Sequence, residues 1–118
     1  MTASGNRNPV LPERFAWPEN DHHIPISEHQ ATALAAPLAA LGEPARLRIV
    51  SLLSSREPRP MTVTELTEAL NLAQATVSHH LRVLADAGLV NIERSGNWRL
   101  YRCDTTALRE VVERIRVS

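Results

Sequence analysis

The sequence contains no lysine. All 13 of its basic residues are arginine, and 13 acids balance them, so the formal net charge is zero. That balance excludes a generally adhesive polycation. It leaves a local basic patch on DNA open, because distribution counts for more than the sum. Arginine makes planar two-point hydrogen bonds to phosphate and guanine, although a GC-rich genome produces the same bias. A single cysteine, Cys103, excludes an internal disulfide frame and any four-cysteine zinc site. Aromatic residues are 3% of the chain, while 43% is apolar, which suffices for a core. The 4 glycines are scattered in turns. No glycine-rich phosphate loop, triad-like spacing or metallohydrolase spacing is present, so an enzyme is not expected. No apolar run reaches the roughly 20 residues that cross a bilayer. No secretion signal opens the chain either, so a cytoplasmic protein without membrane contact is expected. A chain of 118 residues fits one domain. A helical domain of that size often completes its core by pairing with a second copy.

The most informative stretch runs from Thr62 to Leu84. Thr62 and Glu65 form a capping-box pattern, and Val63, Leu66 and Leu70 follow at one-face helical spacing. Asn71 suits a left-handed helix end. A second helix restarts near Gln74, with Val77, Leu81 and Leu84 as its inner face. Gln74, Ala75, Thr76, Ser78, His79 and Arg82 are left mostly outside. Small and hydrogen-bonding side chains on the first turns of a helix are what a DNA major groove admits and what can read it. An ordinary helical hairpin with a solvated face has the same pattern, so the flanking segments decide.

Residues 1–25 are rich in proline, asparagine and charge, without periodicity, and read as a flexible N-terminal arm. Residues 26–118 form the remaining domain. Ser27 is placed to cap a first helix whose stripe is Ala31, Leu34, Ala35, Leu38 and Leu41. Pro37 should kink or interrupt it, and Gly42 ends it. Pro44 opens a second helix, made a core helix by Leu47, Ile49, Val50, Leu52 and Leu53, with Arg46, Arg48 and Arg56 outside the core. Two prolines mark residues 56–60 as a loop. After the Thr62–Leu84 unit, Leu89–Glu93 and Trp98–Cys103 alternate apolar and polar as strands do, around a turn at residues 94–97. The tip and second strand carry Arg94, Arg99 and Arg102 with no acid among them, which suits phosphates beside a groove. Asp104 or Thr105 caps a last helix with Leu108, Val111, Val112 and Ile115 on its apolar side. A helix so short needs a partner surface, and the first helix is the obvious one.

The expected fold is therefore mainly α with a small β-hairpin, in the order α-α-α-α-β-β-α. That order resembles the ArsR/SmtB family of bacterial winged helix-turn-helix repressors. The residues carrying the likeness are Leu41–Leu53, Leu66–Val90 and the wing Gly96–Arg102. The resemblance implies a homodimer paired through the first and last helices, bound to an imperfect inverted repeat of double-stranded operator DNA and released by an effector. Carried over by position, the DNA contacts are Gln74, Ala75, Thr76, Ser78 and His79, with Arg82, Arg94 and Arg99 within reach of phosphate. Ala75 stands where many relatives have serine, so methyl packing replaces a polar contact there. His80 points elsewhere on the helix and is read as structural.

The effector is where the sequence departs from the family. Many relatives bind thiophilic metals through paired cysteines before the recognition helix, and residues 61–70 contain none. Others bind metal at the dimer interface. Asp104 matches the first position of that site, but Thr106 stands where histidine is expected. The remaining donors are Asp21, His22, His23 and His29, with Asp104 or Glu110 in support. Nitrogen and oxygen donors suit nickel, zinc or cobalt rather than arsenic. Two alternatives stay open. A regulatory partner protein could carry the sensing, or the chain could be a winged-helix protein-interaction module. Cys103 is read as a small strand residue rather than a redox sensor.

Overall fold

The computed structural model describes residues 25–115. Apart from Pro25, the proposed arm lies outside the described residues, and so do Asp21, His22 and His23. Five helices and one hairpin follow in the expected order: α1 (Glu28–Leu41), α2 (Pro44–Arg56), α3 (Val63–Leu70), α4 (Gln74–Asp86), β1 (Val90–Ser95), β2 (Trp98–Cys103) and α5 (Thr105–Arg114).

The helix starts are set by local chemistry. Ser27 and Gln30 form a full capping box on α1, and Thr62 and Glu65 form another on α3. Pro44 occupies the first turn of α2, where a missing N–H costs nothing. Asn71 closes α3 with φ 55°, the left-handed geometry that lets α4 begin three residues later at a new angle. Pro37 does not interrupt α1: the helix runs through it. Its ring is fully buried, and that packing offsets the lost hydrogen bond.

One core joins all the elements. Ile49 and Leu53 from α2, Leu66 and Leu70 from α3, and Val77, Leu81 and Leu84 from α4 meet Leu89, Tyr101, Ala107 and Val111. Leu47 was expected in this core. It is 52% exposed instead, on the edge of a helix with more apolar positions than one face can bury. Val112 and Ile115 are also exposed, at 61% and 46%, and Ile26 beside α1 is 43% exposed. α1 and α5 contact each other, as their short length requires.

The hairpin is longer than the alternation suggested. The register pairs Val90 with Cys103, Ile92 with Tyr101, Arg94 with Arg99 and Ser95 with Trp98. Arg94 and Ser95 therefore belong to the strand, and the loop shrinks to Gly96 and Asn97. Gly96 has φ 61°, as a two-residue hairpin loop requires at its first position. A backbone bridge fixes the wing to the rest: Met61 N–H donates to Tyr101 O at 2.9 Å and Tyr101 N–H donates to Met61 O at 2.8 Å. The residue before the α3 cap is thus tied to the second wing strand, which sets the wing against the helix pair.

Candidate nucleic-acid interface

α4 is divided cleanly in two. Val77, Leu81 and Leu84 are 0–1% exposed, whereas Gln74, Ala75, Thr76, Ser78, His79 and Arg82 are all exposed. The division follows from the 3.6-residue period once the core has taken three positions. Ala73, the N-cap residue, has no side-chain hydrogen bond to offer the first turn. The leading N–H groups of α4 thus keep no side-chain cap of their own, a geometry that favours an anionic oxygen. Gln74, Ser78 and His79 add donors and acceptors able to reach base edges.

The wing carries less free charge than its sequence suggested. Arg102 is not available for phosphate: its guanidinium donates to Glu57 Oε1 at 2.8 Å and lies 3.5 Å from Glu93 Oε2. Glu57, by hydrogen bond and by charge, raises Arg102 above its ordinary range. This pairing bridges 45 positions in the chain, so no local pattern discloses it. Arg94 and Arg99 differ. They are exposed cross-strand partners, and neither has an acidic partner among the described residues. Like charges placed directly opposite repel one another, and a phosphate between them relieves that repulsion.

The remaining candidates separate from this surface. His80 is buried on the inner side of α4, as its neighbours at Val77 and Leu84 require. His29 is exposed on the first turn of α1. Asp104 caps α5, its Oδ1 accepting from Ala107 N–H at 2.9 Å. Among the described residues no group of three or more His, Cys, Asp or Glu is placed to hold a metal ion. Cys103 is buried, and burial pushes its thiol up to about 11 against a smaller downward pull from a hydrogen bond with Ser54. It is therefore a packed thiol at neutral pH. Its reaction with an aromatic disulfide reagent at pH 8 is expected to be far slower in the folded protein than in denaturant. Equal rates would contradict the packing described.

α4 is thus the polar second helix of a helix-turn-helix, without a side-chain N-cap and flanked by a wing pinned through Met61 and Tyr101. Residues 43–91 match the model of the bacterial regulatory protein arsR family. The HTH-type transcriptional regulator NmtR of Mycobacterium tuberculosis is 36% identical over 94 residues, covering 80% of this chain and 76% of that protein. The chain belongs to the arsR family. The transcriptional repressor SdpR of Bacillus subtilis is 30% identical over 73 residues, covering 62% of this chain and 78% of its own. The solution structure of the homodimeric winged helix-turn-helix DNA-binding domain Mb0332 from Mycobacterium bovis superposes with a TM-score of 0.62. It is 27% identical and covers 74% of this chain and 82% of that one. This arsR-family protein is a DNA-binding transcriptional repressor of the winged helix-turn-helix type. The family consists of transcriptional regulators, not enzymes. Among the described residues no helix is long and apolar enough to cross a membrane.

Proposed function

We propose that this protein works as a cytoplasmic homodimer that represses transcription from an imperfect inverted-repeat operator. One α4 helix enters the major groove at each half-site, about 34 Å apart. Gln74, Ala75, Thr76, Ser78 and His79 face the bases, and Arg82, Arg94 and Arg99 face phosphates. The observation that supports this most is the exposed, mostly polar outer surface of α4 over a buried inner face. Pairing runs through α1 and α5, where Val112 on α5, Ile115 just after it and Ile26 just before α1 are exposed among the described residues. The test is an anisotropy titration on the protein's own upstream DNA at several salt concentrations. Specific binding should be about nanomolar or tighter and should weaken steeply with salt. Changing Arg94 and Arg99 together to alanine should reduce the salt slope by roughly two per wing while leaving base preference intact. An unaltered slope would remove the wing from the phosphate contacts.

For the effector, the donor chemistry supports a divalent nickel, zinc or cobalt ion. His29, exposed at the start of α1, stands a few residues after the arm that carries His22 and His23. Asp104 contributes only by giving up its cap on α5. Metal added to the operator complex should release DNA from the unaltered protein, and His22→Ala with His23→Ala should block that release. Metal-independent binding in both would favour a partner protein as the sensor.

A further inference from the structure

Among the described residues His80 is the only buried polar or charged side chain, at 9% exposure. Its burial asks for a partner, and the partner is distant in sequence. Arg46 Nη1 lies 3.2 Å from His80 Nδ1. The same guanidinium donates from Nε to Ala40 O at 2.6 Å, in the last turn of α1. An arginine only donates, so Nδ1 accepts and the imidazole proton is assigned to Nε2. Nε2 faces Glu43 Oε1 at 3.9 Å. Glu43 is itself committed: it caps α2 by accepting from Arg46 N–H at 3.1 Å. That backbone hydrogen bond, above the other influences on it, holds the Glu43 carboxyl below its ordinary value. One guanidinium thus ties the end of α1 and the start of α2 to the middle of α4.

The packing around this tie is thin. A shallow groove of about 330 Å³ lies between α1 and α4, lined by Ala36, Ala39, Ala40, Val83 and Ala87, with Arg46 and Asp86 at its polar edge. Small side chains interdigitate weakly, so they leave the relative placement of two helices loosely specified. A planar donor bonded at both ends specifies it more tightly.

We infer that Arg46 and His80 are positioning residues for operator recognition, fixing the pose of α4 against α1. This rests on the dimeric reading above, in which α1 belongs to the subunit interface. Neither side chain touches DNA. Each sets where the base-reading face stands relative to the dimer axis, and hence how the two α4 helices are spaced.

The test compares Arg46→Lys, His80→Leu and His80→Asn with the unaltered protein. Four quantities are measured: affinity for the operator, affinity for an unrelated duplex, thermal midpoint, and affinity for an operator whose half-sites are one base pair further apart. Arg46→Lys and His80→Leu should each weaken operator binding by about tenfold, the scale of one hydrogen bond to a charged group. They should also bind the two operator spacings more equally, with the unrelated duplex and its salt dependence unchanged. His80→Asn keeps an acceptor near the Nδ1 position and should retain most of the affinity and the spacing preference. A purely structural role would lower the midpoint and all DNA binding together, and would leave the spacing preference alone. That outcome, or wild-type operator binding by both Arg46→Lys and His80→Leu, overturns the inference. If Arg46→Lys does not fold, the comparison of His80→Leu with His80→Asn carries the test. Failure of the unaltered protein to bind any operator would instead reject the dimeric reading itself.

Discussion

Replacing Ser78 and His79 together by alanine should abolish discrimination between operator and unrelated DNA while leaving the fold intact. Both side chains are exposed on α4, so their removal opens no cavity and leaves no buried group unpaired. A base contact is worth about 1–3 kcal/mol of discrimination, and a dimer makes each contact twice. The combined loss in specific affinity is therefore on the order of a thousandfold, with residual salt-dependent binding left to the phosphate contacts. Anisotropy titrations on operator and scrambled duplexes, alongside thermal melts, check this. Equal losses on both duplexes would show that these residues do not read sequence.

The second large effect concerns the subunit contact. Val112 is 61% exposed on α5, one position beyond the fully buried Val111. Its change to aspartate costs little in an isolated chain. In a paired interface it buries an uncompensated carboxylate on each side of the symmetry axis. Val112→Asp should therefore give a folded monomer in sedimentation. Because the two half-sites no longer bind as a linked pair, operator affinity should fall by about a hundredfold or more. A Val112→Asp protein that remains dimeric would move the interface away from this face of α5.

Much of this architecture was legible in the sequence because its signals are local. Thr62 with Glu65, Asn71, Pro44 and the inner triad Val77, Leu81 and Leu84 each act within one or two helical turns. Each appears in the structure in that role. The departures involve partners far along the chain. Arg102 reads as a free wing charge until Glu57 is brought beside it. Arg46 reads as an outer arginine until folding places Ala40 O and His80 within its reach. A trace of the second case was present, since His80 shares a helix face with Val77 and Leu84. Leu47 reads as a core residue because periodicity records which residues are apolar, not whether a neighbour arrives to cover them. Pro37 shows the converse: its burial in α1 offsets a backbone penalty that sequence position alone predicts. The exposed side of α4 is legible for the same reason as its core side, because fixing three inner positions assigns the outer ones.

Whether two α4 helices read adjacent major grooves is decided by hydroxyl-radical and major-groove methylation footprinting of the unaltered protein on its own upstream region. The expected result is two symmetric protected segments whose centres lie one helical turn, about 34 Å, apart, with guanine N7 shielded inside each. A single protected segment, or protection that does not depend on sequence, would contradict it.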